Sequence, residues 1–382
     1  MHLLSKLRLH HELNAIAVDP QCPDYDDDGY ESSGSCGSSV ASLKSTVHEY
    51  IIENGRRYHA YFGVDKSITP TDEIEQDRLD IHHEIMLLLL EGELHQAPLE
   101  NPRKILDVGT GTGIWAIDMA DKYPGSKVLG VDLSPIQPNW VPPNCRFTVD
   151  DVEAEWSWRS NTFDFVHIRN LVHDIHDWSK LLSELYRCTR PGGWVEIAEM
   201  GGELLSDDGT LADNHPTKRC WDLLTAALRA TGREPATGTL LNNILSAAGF
   251  EEIEVVAVKQ PIGLWPHDKR LKTIGKMGML NIQLGTEAYC MAALTRILKL
   301  SVEAAREICR DGVAAVCDPG VHMYNFFYIA YARKPKRKDD DHDEATDSVD
   351  ADYDSDDEAW EDETAFGQGL EVHHTPLSAR PA

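Results

Sequence analysis

The sequence predicts an α/β fold: a doubly wound, mostly parallel seven-stranded sheet, with a helical insertion before the last strand. Three observations predict it. Short apolar runs alternate with amphipathic stretches, a glycine-rich turn follows the first run, and acids close the successive runs at the edge where parallel sheets bind ligands.

The strand runs are 104–108, 127–131, 146–149, 163–168 and 194–198, then 251–258 and 325–333 after longer gaps. Between them, 115–122 and 178–188 repeat apolar residues at helical spacing. Ahead of the first strand, residues 73–95 set Ile81, Ile85, Leu88 and Leu89 on one helical face, and Pro102 then breaks the chain. A long helical section at about 268–310 separates the last two strands and reads as an insertion. The resulting plan has a disordered arm over 1–48, an N-terminal helical segment over 49–101, the α/β domain over 102–335 and a disordered acidic tail over 336–382.

Composition narrows the function. With 42% hydrophobic and 26% charged residues among 382, the chain is ordinary globular material. The net charge of −28 is uneven: 15 acids lie in 339–363 and five in 24–31, leaving about −8 elsewhere. The acidity therefore belongs to the tails, and direct nucleic-acid binding is not expected. The longest apolar run, Ile85 to Leu90, is far shorter than the roughly 20 residues of a membrane span. Lys6, Arg8 and several histidines interrupt the first leucines, unlike a secretory signal, so a cytosolic or nuclear chain is expected. The eight cysteines include no C-x-x-C pair, which predicts reduced thiols and no structural metal.

The chemistry centres on residues 105–115, Ile-Leu-Asp-Val-Gly-Thr-Gly-Thr-Gly-Ile-Trp. Gly109, Gly111 and Gly113 permit a sharp turn and close approach of a ligand to backbone. The glycines alone also satisfy the dinucleotide pattern; Asp107 tips the choice, because a carboxylate there receives a cationic amino group but repels a pyrophosphate. Asp132 ends the second strand where a carboxylate accepts both ribose hydroxyls, followed by Leu133. Asp151 can accept from an adenine amino group, with the Val152 N–H meeting a ring nitrogen. Phe163 and Asp164 open the fourth strand twelve residues later.

In this order the motifs resemble those of the class I S-adenosylmethionine-dependent methyltransferases. Asp107-x-Gly109-x-Gly111-x-Gly113 is similar to the family's first motif, Asp132 to its ribose acid, Asp151 and Val152 to its adenine contacts, and Arg190-Pro-Gly-Gly-Trp194 to the turn before its fifth strand. The resemblance implies S-adenosyl-L-methionine as cofactor, on a site that includes Asp107, Gly109, Thr110, Gly111, Gly113, Asp132, Leu133, Asp151, Val152 and Asn170. A narrower likeness extends it: residues 54–61, Glu75-Gln-Asp-Arg78, 261–266 and 324–335 look like the fungal LaeA-like methyltransferases. That likeness implies a regulatory role in secondary metabolism, development or virulence, with a velvet-type partner in the nucleus.

Catalytic groups carry a weaker signal. Methyl transfer from a sulfonium needs orientation above all, and a base only when the nucleophile arrives protonated. His173 is the candidate base. With His176 three residues on, it also invites a metal reading, against which Asp177 reads as a helix N-cap. No Asn/Asp-Pro-Pro-aromatic sequence follows the fourth strand, which disfavours amino methylation of that style. Tyr58 and Tyr61 precede the first helix, where aromatics can close over the cofactor, and Met277, Met279 and Leu280 are expected in core or pocket wall. Residues 334–338, Lys-Pro-Lys-Arg-Lys, suit nuclear import. The acceptor stays open between a protein and a small metabolite, beside a third reading as a non-catalytic nuclear scaffold.

Overall fold

The computed structural model describes residues 15–20, 50–63, 66–336 and 371–372. A hairpin of β1 (Tyr50–Glu53) and β2 (Arg56–His59) leads to α1 (Glu73–Leu89), whose N-cap Asp72 accepts from the Glu75 N–H. Then come β3 (Lys104–Val108), α2 (Ile114–Lys122), β4 (Lys127–Asp132), β5 (Cys145–Val149), β6 (Phe163–Arg169), α3 (Trp178–Cys188) and β7 (Thr189–Met200). After β7 follow α4 (Pro216–Ala230), α5 (Gly238–Ala247), β8 (Glu251–Ile262), α6 (Lys269–Ala292), a π-helical turn at Ala293–Ile297, α7 (Val302–Ala315) and β9 (Met323–Arg333).

Strands β5, β4, β3, β6 and β7 pair in parallel in that order, and β9 runs antiparallel between β7 and β8. These are the seven strands expected. Strand β3 is central and buried on both faces, as its run of Ile105, Leu106 and Val108 requires. The pleat sends Ile105 into one core with Trp115 and Met119 of α2, and Leu106 and Val108 into another with Leu181 and Leu185 of α3. A third core joins the N-terminal segment to α4, α6 and α7: Ile85, Met86 and Leu89 pack with Trp221, Leu224, Ile282 and Leu294. It forms a helical cap on the sheet.

Several expectations need correction. The hairpin β1–β2 and helices α4 and α5 are absent from the sequence reading, although α4 does carry helical spacing, with Cys220, Trp221, Leu224, Ala227 and Leu228 on one buried face. Residues 190–193 do not precede the fifth strand but bulge within it, since the register shifts between the pairs Phe163↔Thr189 and Phe165↔Trp194. The insertion is two helices with a π turn between them and runs to Ala315. Met279 is core and Leu280 is exposed; neither they nor Met277 line the cleft described below.

The arm over 1–48 is not structureless throughout. Val18 bridges Pro266, the Asp19 N–H donates to the Trp265 carbonyl, and Ile16 is buried against Trp265 and Tyr324. Burial of Ile16, two backbone bonds and an ion pair between Asp19 and Lys272 hold six residues that the sequence reading assigns to the arm. The rest of that arm lies outside the described residues. In the tail, a two-residue strand β10 (Glu371–Val372) pairs in parallel with β5, and the remainder likewise lies outside them. Lys334, read as part of a basic cluster, is sealed into the fold: its Nζ donates to Asn161 Oδ1 and to the carbonyls of Tyr186 and Thr189. Among the described residues, Cys220, Cys290 and Cys309 bring their sulfurs within 4.8 Å of one another inside the cap core, all buried.

The anchoring of the arm is testable. Ile16→Ala should lower unfolding stability by about 2 kcal/mol, the low end for truncating a buried aliphatic, as read by urea denaturation of the full chain. An unchanged midpoint would show that residues 15–20 contribute nothing to the fold.

Candidate active site

A cleft opens at the carboxyl edge of β3, β4, β5 and β6, roofed by residues 66–71, α1 and Tyr289 of α6. Its empty volume, open solvent at the mouth included, is about 1310 Å³. Asp107, Gly109, Thr110, Gly111, Asp132, Leu133, Asp151, Val152, Asn170 and His173 all line it. These residues come from separate loops at the ends of four strands, and the sheet brings them together.

The first loop is built on Asp107. Its Oδ2 accepts from Thr110 Oγ1 at 2.6 Å, and its Oδ1 lies 2.8 Å from Nδ1 of His167, its cross-strand neighbour on β6. The glycines divide their labour in a way sequence could not show. All three sit at positive φ, but a Cβ on Gly111 would meet only Leu79 at 3.5 Å, so this glycine faces the cleft. A Cβ on Gly113 would collide with the Phe147 ring, and one on Gly109 would strike Leu171 at 2.5 Å. Gly113 therefore serves packing and does not line the cleft.

Asp132 accepts from the Gly111 N–H at 2.8 Å and the Ser134 N–H at 2.9 Å, tying the second strand's end to the glycine loop. No helix starts at Ser134, so Asp132 is not a helix cap. Removal from water raises its pKa to about 6, against the lowering effect of the two N–H donors. Asp151 is paired with Lys66 at 2.6 Å, and Val152 is buried beside it. Asn170 takes a left-handed φ of 56° that asparagine tolerates, with its Oδ1 accepting from the Met200 N–H.

Two expected contacts do not form. Tyr58 is buried in the cap core under the Arg296 guanidinium, and Tyr61 packs on Phe62; neither lines the cleft. Side chains alternate along a strand, so with Tyr58 turned inward it is His59 that reaches the cleft. The metal reading of His173 and His176 also fails, because 171–177 is a turn and not a helix. His173 lines the cleft edge-on to Tyr289, whereas His176 is exposed and meets Glu153 and Arg233. Asp177 is the N-cap of α3, accepting from Lys180.

The wall facing the glycine loop was missed. Glu75, Arg78, Leu79 and His82 of α1 line it with Tyr289, and Arg169 stands at the end of β6. Arg78 is bound by Glu75 at 2.6 Å and by Asn281 Oδ1 at 3.2 Å, with its guanidinium 4.8 Å from the Tyr289 ring centroid. His82 is buried, and neither ring nitrogen has a partner among the described residues. A signal did exist: polar residues at 75, 78 and 82 keep the spacing of a buried helical face.

Burial and the Arg233 and Arg78 charges push the His173 pKa down to about 4. His173 is thus neutral at physiological pH and a weak base. Behind this turn, the buried Glu199 accepts from the Leu171 and Val172 N–H groups, and desolvation pushes its pKa up to about 8. It holds the turn that presents Asn170, Leu171 and His173.

Strand-end acids at Asp107 and Asp132 and a glycine turn, set together on this sheet order, match a class: the S-adenosylmethionine-dependent methyltransferases. Residues 77–255 match the family described as a methyltransferase domain. The chain is 37% identical over 324 residues to methyltransferase pytC of Aspergillus terreus, covering 84% of this chain and 97% of that one. It is 38% identical over 294 residues to the secondary metabolism regulator LAE1 of Cochliobolus heterostrophus, covering 75% and 95%. To the protein-methionine methyltransferase laeA of Emericella nidulans it is 34% identical over 304 residues, covering 78% and 80%. Among solved structures, Haemonchus contortus phosphoethanolamine N-methyltransferase 2 with S-adenosyl-L-methionine aligns at a TM-score of 0.39 and 23% identity, over 72% of this chain and 55% of that one. The protein belongs to the LaeA-like methyltransferases of fungi, and its cofactor is S-adenosyl-L-methionine.

The glycine roles separate by experiment. Gly113→Ala should lower the melting temperature sharply through its collision with Phe147. Gly111→Ala should melt closer to the parent yet lose affinity for S-adenosylhomocysteine in calorimetric titration. Equal effects on both measures would refute the division.

Glu199 predicts a pH dependence. Its pKa is higher folded than unfolded, so the folded state holds the extra proton between about pH 4.3, the ordinary carboxyl value, and about 8. Its contribution to stability is therefore greatest at low pH and is lost as pH rises through that window. Glu199→Gln should flatten the fall in melting temperature between pH 6 and 8, a tenfold difference in proton affinity being worth about 1.4 kcal/mol. An identical slope in variant and parent would exclude Glu199 as its source.

Proposed function

We propose that this protein transfers the methyl group of S-adenosyl-L-methionine to the thioether sulfur of a methionine in a protein acceptor, in the regulation of secondary metabolism. The observation that carries this reading is the weakness of the bases on the acceptor wall among the described residues. Glu75 is committed to Arg78, Asp174 accepts from Ser67 and Ile68 and keeps one oxygen without a partner, burial and the Arg78 charge hold His82 well below its ordinary pKa, and His173 is pushed down to about 4. A thioether needs no base, since its sulfur carries a lone pair and no proton. That lone pair displaces the cofactor's sulfonium in line. The methyl–sulfur bond of the cofactor breaks, its electrons stay on S-adenosylhomocysteine, and the positive charge passes to the product sulfonium. A relative at 34% identity is named a protein-methionine methyltransferase, which supports the same acceptor.

Nuclear localisation and a velvet-type partner belong to the same proposal. With Lys334 buried, an import signal has to begin at the exposed Lys336 and extend through Arg337 and Lys338, which lie outside the described residues.

The test offers the full chain cofactor carrying a tritiated methyl group, with a methionine peptide and the same peptide bearing norleucine. Label should appear on the first alone. Label on neither, with transfer to a small phenol instead, would overturn the protein acceptor in favour of a metabolite.

A further inference from the structure

We infer that Arg169 binds the carboxylate of the cofactor's aminoacyl end, so that Asp107 and Arg169 clamp the two charges of one zwitterion from adjacent strands. The inference rests on the cofactor assignment and adds a binding residue that the glycine-loop motif does not contain.

Register places the two groups. Strands β3 and β6 are parallel neighbours with Asp107 opposite His167 and Val108 opposite Ile168, so Arg169 falls level with Gly109 at the start of the loop. Both Asp107 and Arg169 line the cleft. Three acids act electrostatically on Arg169, namely Asp107, Asp118 and Asp80. None of them forms an ion pair with it: Asp107 is held by Thr110 and His167, Asp118 by His83 Nε2 at 2.9 Å, and Asp80 by Thr112 Oγ1 at 2.7 Å.

Among the described residues Arg169 has no ion-pair partner, and its bond to a side chain is Nη1 to His83 Nδ1 at 3.2 Å. A guanidinium has five N–H donors. Arg169 is only partly buried at the cleft, and a half-buried guanidinium still gains from a counter-ion. Arg78, in the facing wall, has Glu75 as one. For Arg169 a carboxylate ligand in the cleft supplies it, and arginine's fork suits that shape. Asp107 is held rigidly enough to serve the other charge, because His167 behind it stacks on Trp115 at 3.7 Å with the rings 7° from parallel.

Calorimetric titration of the full chain with three ligands tests this: S-adenosylhomocysteine, its decarboxylated analogue that keeps the amine, and 5′-methylthioadenosine, which lacks the aminoacyl end. Arg169→Gln should weaken S-adenosylhomocysteine about 10- to 100-fold, the range for losing a charged hydrogen bond. Binding of the decarboxylated analogue and of methylthioadenosine should stay within about twofold. Arg169→Lys, which keeps the charge without the fork, should fall between. Asp107→Asn should weaken both amine-bearing ligands and spare methylthioadenosine. Equal loss of all three ligands in Arg169→Gln would make Arg169 merely structural, and unchanged S-adenosylhomocysteine affinity would remove it from the cofactor site. A parent chain that binds none of the three would instead overturn the cofactor assignment itself, and the inference with it.

Discussion

The structure depends on the burial of one charge. Arg78 is 1% exposed, and a guanidinium so far from water persists only with its counter-charge and hydrogen-bond acceptors in place. Glu75, one turn earlier on α1, supplies the charge, and Asn281 on α6 supplies an acceptor 203 residues away in sequence. The Tyr289 ring lies against the guanidinium, and Gly285 makes the space, since a Cβ there would come within 2.8 Å of Arg78 Cδ. The interaction fixes where the two helices cross. A buried ion pair of this kind adds little net stability compared with apolar packing, but removing either partner strands the other. Its effect is positional: it sets α1 and α6 as a roof over the sheet edge.

With that roof in place, the cleft has two unlike sides. The sheet side is made of acids held by backbone and hydroxyl donors, as Asp132 is by Gly111 and Ser134 and Asp107 by Thr110. Such acids stay oriented, and lone pairs remain for a ligand. The roof side is made of rings and a neutralised ion pair: His82, His173, Tyr289 and Arg78 with Glu75. It carries little net charge, which suits an uncharged nucleophile approaching a cationic methyl donor. The chemistry proposed for the acceptor follows from the contrast between the sides.

The sheet was legible in the sequence because its signals are local. Runs of Ile, Leu and Val between helical stretches, three glycines after Asp107 and a capping Asp177 each depend on neighbours within a few residues. The cap was not legible because its logic is long-range. Nothing near Arg78 in sequence announces Asn281, and Lys334 looks like a surface lysine until the strand end folds it against Tyr186 and Thr189. Tyr58 was misjudged for a related reason: nearness to the first helix says nothing about which face of a strand a side chain takes, and Tyr61 lies in the turn beyond that strand. Ile16 shows the reverse error: the short apolar run 15–18 beside a polar arm reads as part of the arm, though its burial, two backbone bonds and the Asp19–Lys272 pair dock it.

The close seating of α6 explains why cofactor and acceptor sides are separable. Its N-terminal half lies against the end of β8 so tightly that a Cβ on Gly275 would collide with the Gly263 carbonyl oxygen, while the Gly263 N–H donates to the Gly275 carbonyl. Gly278 approaches the Pro261 carbonyl in the same way. The first part of the helix is thus pinned to the sheet by backbone contact, and Tyr289 extends from its later part, over the cleft. The seating fixes Tyr289 above the strand ends that carry Asp107, Asp132 and Asp151. The two sides of the cleft are thereby carried by different segments, α1 and α6 on one and the loops after β3, β4 and β5 on the other.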